Sequence, residues 1–132
     1  MNITLQHVHY MPKTMEPGIL YVSNEFGTAA HLCACGCGSK TRTPLDVTEW
    51  QLTETDKGPT LYPSIGNWQI PCQSHYWIRN GEIVWSNKWT PQQILNGRKE
   101  EEERRRIFYE NHYKEKSAFI KKWLNWLKKL LS

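Results

Sequence analysis

The order of apolar and polar positions divides the chain into a β-patterned part and a helical part. Residues 18–22 (Gly-Ile-Leu-Tyr-Val) form a short apolar run after the Pro17-Gly18 break, and residues 29–35 run toward a group of cysteines. Apolar runs this short, bounded by breakers, predict buried strands. Pro44, Asp56-Lys57-Gly58-Pro59, Pro63, Gly66-Asn67 and Pro71 cut the middle of the chain into pieces too short for long helices, so that region is expected to be strand and loop. Two alternating segments, His75-Tyr76-Trp77-Ile78-Arg79 and Glu82-Ile83-Val84-Trp85, flank Asn80-Gly81. Asn-Gly accepts the positive φ values of a type I′ turn, which predicts a β-hairpin.

The period then changes. Thr90, Pro91 and Gln93 sit at the N-cap, first-turn and capping-box positions of a helix. From Arg98 to Leu131 there is no proline, and Phe119, Ile120, Trp123, Leu124, Leu127, Leu130 and Leu131 recur at helical spacing. This predicts an amphipathic helical extension, drawn as two helices with a break near Asn111. The expected organisation is a β-rich core over residues 1–92 and a helical extension over 93–132, an α+β protein. The apolar stripe with Lys121, Lys122, Lys128 and Lys129 beside it has the look of a membrane-surface helix. Packing on the core or pairing in a dimer is the commoner use of such a stripe, and is the expectation here.

Composition changes the picture in three ways. A chain of 132 residues is long enough to bury one core. Residues 98–132 hold eleven Lys or Arg against six acids, leaving six bases and seven acids for the rest. A neutral core argues against a phosphate-tracking nucleic-acid module. The start of the chain lacks a secretory pattern and no apolar run reaches membrane-spanning length, which places the protein in the cytoplasm as an expectation. Seven tryptophans, five of them between Trp50 and Trp89, suggest a core filled with large aromatic side chains.

In a reducing compartment the four cysteines are expected to be ligands rather than disulfides. Cys33, Cys35 and Cys37 alternate, and Cys72 joins from elsewhere in the chain. An extended strand would hold Cys33 and Cys37 about 13 Å apart, whereas zinc needs its sulfurs within about 4 Å of one another. The backbone must curl, and Gly36 and Gly38 are placed to take the positive φ values of the curl. A closed structural zinc site on Cys33, Cys35, Cys37 and Cys72 is expected, with His31 or His75 as possible replacements for one cysteine. His7 and His9 form an H-x-H that fits alternate strand positions, and His112 lies in a charged helix.

The segments Phe26-Gly27-Thr28-Ala29-Ala30-His31-Leu32-Cys33, Cys35-Gly36-Cys37-Gly38 and Cys72-Gln73-Ser74-His75-Tyr76-Trp77-Ile78-Arg79-Asn80-Gly81 together resemble the BubE-like family, over roughly residues 10–90. That resemblance implies a transpeptidase-like peptidase that cleaves a ubiquitin-like protein. It also implies operon partners of the E1 and E2 kind and a bacterial setting linked to defence against phage. Ser74-His75-Tyr76-Trp77-Ile78-Arg79 is also similar to the Ser-His-Gly-Cys-Ile-Arg element of L,D-transpeptidases, with Trp77 in place of the nucleophilic cysteine. On this reading Ser74 is the candidate nucleophile, and His31 or His75 its base. Trp77 and Arg79 are candidate substrate-binding residues, the guanidinium meeting a carboxylate or the carbonyls of an extended peptide. If residues 72–79 are extended, Ser74 and His75 point to opposite faces, which favours His31. The competing reading is a noncatalytic zinc module that binds a ubiquitin-like protein or its conjugating enzymes, with Ser74, His75 and His31 fixing the metal ligands.

Overall fold

Short β-branched and aromatic runs between glycine and proline breaks give eight strands and one long helix in a computed structural model, which describes residues 1–131. The first four strands are β1 (Thr4–His7), β2 (Ile19–Ser23), β3 (Thr28–Leu32) and β4 (Lys40–Pro44). They form a sheet in chain order, with β1 parallel to β2 and the other pairs antiparallel. β5 (Gln51–Thr55), β6 (Gly58–Gly66), β7 (His75–Arg79) and β8 (Glu82–Trp85) form a second, wholly antiparallel meander.

The sheets meet through their inner faces. Leu20, Val22, Ala29 and Cys33 from the first pack with Leu61, Ile65, Tyr76 and Ile78 from the second, and Ile3 joins them. Each large side chain in such a cluster contributes roughly 1.5–3 kcal/mol by leaving water. Backbone bonds tie the chain start to the hairpin tip: Ile3 N–H donates to Gly81 O at 2.7 Å and Ile83 N–H to Met1 O at 3.1 Å. A smaller cluster of Met15, Tyr21 and Ala30 covers the other side of β2 and β3.

The expected hairpin turn is present, with φ of 48° at Asn80 and 75° at Gly81. At Gly81 the bare Cα is also required by space, since an added Cβ would lie 2.5 Å from Lys57 O. Tryptophan does not fill the core. Trp50 packs at its edge, and Trp68, Trp77, Trp85 and Trp89 are half-buried or exposed. The inward positions of these thin sheets are taken by aliphatic residues and Tyr76, so the indoles fall to outward positions and loops.

The chain divides into one unit over Met1–Ile94 and a second from Leu95 onward. The helix α1 runs unbroken over Pro91–Leu131, which corrects the expected break near Asn111. Asparagine costs only a fraction of a kcal/mol inside a helix and removes no backbone bond, so it does not stop one. The Arg106–Glu110 ion pair at 2.9 Å supports the turn just before it. The start matches its capping-box expectation: Gln93 N–H donates to Thr90 Oγ1 at 3.2 Å, and Thr90 N–H to Gln93 Oε1 at 2.8 Å. No residue of the helix is buried, and among the described residues no helix is long and apolar enough to cross a membrane.

Candidate functional site

The end of β3 and the turn before β7 bring the four cysteines together. After Leu32 the chain turns on Gly36 N–H donating to Cys33 O at 3.1 Å, and returns with Cys33 N–H donating to Ser39 O at 2.8 Å. Gly36 and Gly38 take φ of 88° and 82°. No atom lies within 4 Å of a Cβ added at either position, so conformation rather than crowding requires glycine there. Cys72 is carried in by a turn closed by Gln73 N–H to Ile70 O at 3.1 Å.

All four sulfurs lie within 4.8 Å of one another. Cys33 is 3.4 Å from Cys35 and 3.7 Å from Cys72, and Cys37 is 3.8 Å from Cys72. A tetrahedral site with bonds of about 2.3 Å has edges of about 3.8 Å, so the donor set fits a metal ion. Two neighbours aim donors at the sulfurs. Ser74 Oγ donates to Cys72 Sγ at 3.1 Å and Asn67 Nδ2 to Cys33 Sγ at 3.4 Å, arrangements that favour thiolates. Burial, helped by the neighbouring Cys35 and Cys72 thiols, pushes the Cys33 thiol up to about 11, while hydrogen bonding by the Ser39 side chain brings Cys37 down to about 6. At Cys72 burial opposes ionisation, yet the side-chain and backbone hydrogen bonds of Ser74 outweigh it and lower the pKa. A bound cation removes the remaining protons, Cys33 included.

His31, on β3, faces the interior. Its Nε2 meets the Tyr76 hydroxyl at 2.6 Å, and that oxygen accepts N–H groups from Ala34 at 3.4 Å and Asn67 at 3.5 Å. Nε2 and the hydroxyl share this hydrogen bond, while Nδ1 lies buried without a partner among the described residues. Burial lowers the imidazole pKa to about 4, so the ring is neutral at ordinary pH.

β7 separates Ser74 from His75 as alternation requires. Tyr76 and Ile78 point into the core, and His75, Trp77 and Arg79 lie on the other face. Ser74, 5% exposed, donates its hydroxyl to Cys72 Sγ and accepts from the Cys33 thiol at 3.5 Å. The serine that meets a histidine is Ser64, whose Oγ lies 2.8 Å from His75 Nε2. His75 Nδ1 is 2.8 Å from the carbonyl oxygen of Asn87. A carbonyl only accepts, so Nδ1 carries the proton and Nε2 of the neutral ring offers its lone pair to the Ser64 hydroxyl.

The backbone places Ser64 there. Gly66 pairs with His75 and Ile65 with Tyr76, so Ser64 shares the face of His75. Leu61 pairs with Ile78, which sets four steps on β6 against two on β7, a bulge of two extra residues containing Ser64. Such bulges re-aim side chains. The Tyr62-Pro63 bond inside it is cis. Trp68 and Trp89 stack on each other at 5.4 Å and set their rings 5.0 and 5.2 Å from His75, which accounts for its burial. Ser64 remains half-exposed. Beside the pair, Tyr62 and Trp77 approach to 6.0 Å and the Arg79 guanidinium lies 4.5 Å over the Trp77 ring.

The other histidines stand apart from this site. His7 pairs with Glu54 at 2.9 Å, His9 pairs with Glu25, and His112 stacks on Phe108 in the helix. The sequence reading missed Ser64, the Asn87 carbonyl and the two tryptophans. A hairpin drawn between residues 58–66 and 75–79 would have brought Ser64 near His75, but local patterning does not show the bulge.

The fold and site define a small α+β protein of two four-stranded sheets, with a four-cysteine cluster and a serine–histidine pair on opposite sides of one strand. The chain belongs to the family described as the bacterial ubiquitination-like system serine protease, BubE, whose model matches residues 7–86. No curated protein and no solved structure matches the chain.

Proposed function

We propose that this chain is a serine peptidase that cleaves a ubiquitin-like protein at or near its C-terminus, with Ser64 as nucleophile and His75 as its general base. One observation carries the assignment: the 2.8 Å contact of Ser64 Oγ with a His75 ring whose other nitrogen is held by Asn87 O. This is the chain of nucleophile, base and orienting acceptor that activates a serine. The family description supplies the reaction class and the ubiquitination-like setting.

In the proposed reaction Ser64 Oγ attacks the scissile carbonyl carbon as its proton passes to His75 Nε2. The imidazolium then protonates the departing amine, and the acyl group stays on Ser64. Water attacks the ester, giving a proton to His75; as the acyl–Oγ bond breaks the imidazolium returns that proton to Ser64 Oγ, and the peptide leaves as its carboxylic acid, which ionises in water. Tyr62, Trp77 and Arg79 form the adjoining surface, an aromatic floor with a cation suited to an extended peptide.

The cysteine cluster is assigned a structural zinc ion on Cys33, Cys35, Cys37 and Cys72. It has four protein ligands and no position for water, so its contribution is to join the end of β3 to the start of β7. Ser74 orients Cys72, and His31 with Tyr76 fills the space beneath.

The test uses a ubiquitin-like protein extended beyond its C-terminal glycines, incubated with wild type, Ser64→Ala and Ser74→Ala. Ser64→Ala is expected to lose about 10³-fold or more in kcat/KM. Ser74→Ala is expected to keep cleavage within about tenfold and to bind metal about 10- to 100-fold more weakly. The reverse pattern would return the nucleophile to Ser74. Equal cleavage by all three would overturn the serine mechanism, and cleavage by none would overturn the peptidase assignment and favour the noncatalytic zinc module.

A further inference from the structure

The last turns of α1 are chemically unlike the rest of the helix. From Ser117 to Leu131 there are four lysines, Lys121, Lys122, Lys128 and Lys129, and no acid. Placed at 100° per residue, Phe119, Ile120, Trp123, Leu124, Trp126, Leu127, Leu130 and Leu131 fall within an arc of about 160°, and the lysines occupy the opposite side. The apolar arc faces water: Phe119 is 71% exposed, Trp126 56% and Leu130 63%. A surface of this kind needs an apolar partner flanked by negative charge.

We propose that residues 117–131 dock on an anionic lipid surface, lying in its interface with the indoles and leucines among the acyl chains and the lysines at the headgroups. A broad arc of Trp, Phe and Leu opposite an all-lysine face is the composition of an interfacial helix. The segment is about 22 Å long, too short and too charged to span a bilayer, in keeping with the absence of a spanning helix among the described residues.

Charge and pattern argue against a second copy as the occupant. A parallel pair would set lysine beside lysine along both edges of the seam, with no acid to alternate with it. An antiparallel pair along the whole helix would set residues 91–105 opposite residues 117–131, and that stretch offers only Pro91, Ile94 and Leu95 as apolar side chains among Gln, Asn, Gly, Arg, Lys and Glu; an antiparallel pair centred near residue 124 would again line the seam with lysines and no acid. Nucleic acid satisfies the lysines, and unpaired bases can stack on the indoles, but it offers nothing to cover Leu124, Leu127, Leu130 and Leu131. The inference rests on the helix alone and stands apart from the peptidase assignment.

The test is flotation of the full chain with phosphatidylcholine vesicles, with and without about 30% phosphatidylglycerol, at about 0.1 and 0.5 M salt. Wild type is expected to partition at least tenfold better to the anionic vesicles, with the preference shrinking in high salt. A Lys121→Gln, Lys122→Gln, Lys128→Gln, Lys129→Gln variant is expected to lose about 100-fold or more. A Trp123→Ser, Leu127→Ser variant is expected to lose binding while keeping its charge, which separates insertion from adsorption. Far-UV circular dichroism confirms that both variants remain folded. No binding, or equal binding to both vesicle types, would overturn the proposal. So would a concentration-dependent dimer, dissolved by Trp123→Ser with Leu127→Ser, in a chain that ignores vesicles.

Discussion

Two serines near the start of the last hairpin differ in what surrounds their hydroxyls, and chemistry follows from that. Ser64 faces an imidazole lone pair on a half-exposed surface, whereas Ser74 is buried against two sulfurs. A thiolate neighbour holds a hydroxyl as a donor, and a neutral imidazole takes its proton. His31 shows the same control by surroundings. Its pKa is lowered from 6.5 to about 4 by burial, so between those values the unfolded chain binds the proton and the folded chain does not. Stability contributed by the neutral ring is therefore complete above about pH 6.5 and lost as pH falls toward 4, by about 3 kcal/mol. Chemical denaturation across that window, comparing wild type with His31→Gln, is expected to show a steeper acid loss in wild type. Parallel curves would refute it.

At the scale of elements, the bulge in β6 and the loop after it build the candidate site. The expectation of strands in this region agrees with the structure, as do the Asn80-Gly81 turn, the capping box at Thr90 and the glycine-assisted curl after Cys33. Each of these is written in two to six adjacent residues, where local sterics decide the outcome. Ser64 was not legible because its approach to His75 depends on pairing across eleven positions and on the count of residues in the bulge. The outward placement of the tryptophans was hidden for a like reason, since composition does not say which sheet face an indole takes. Gly66 tests the element directly. A Cβ there would lie 2.4 Å from the Trp68 ring, and that ring stands against His75. Gly66→Ala is expected to displace Trp68 and reduce kcat by about tenfold, while thermal unfolding moves by only a few degrees. Unchanged turnover in the folded variant would show that Trp68 does not position His75.

Across the whole molecule, the cysteine cluster and the serine–histidine pair lie on opposite sides of the β7 strand start, three residues apart at Cys72 and His75. The cluster joins β3 of the first sheet to that strand start, so whatever loosens it reaches His75 through the backbone. The four-cysteine grouping was legible from sequence because alternating thiols with interleaved glycines admit few other geometries. Its relation to Ser64 was not, because the two sites use opposite faces of one strand. Chelation is expected to lower the unfolding midpoint by about 10 °C or more and to abolish cleavage, with zinc restoring both. Cys72→Ser is expected to behave as the chelated protein does. Elemental analysis that finds no metal in active protein would refute this dependence.

The central claim is that Ser64, activated by His75, is the nucleophile, and an active-site serine probe measures it most directly. Labelling the full chain with a fluorophosphonate and locating the adduct by mass spectrometry is expected to find it on Ser64. The adduct should persist in Ser74→Ala and fade in His75→Gln. An adduct on Ser74, or no serine adduct on a chain that cleaves its substrate, would contradict the account.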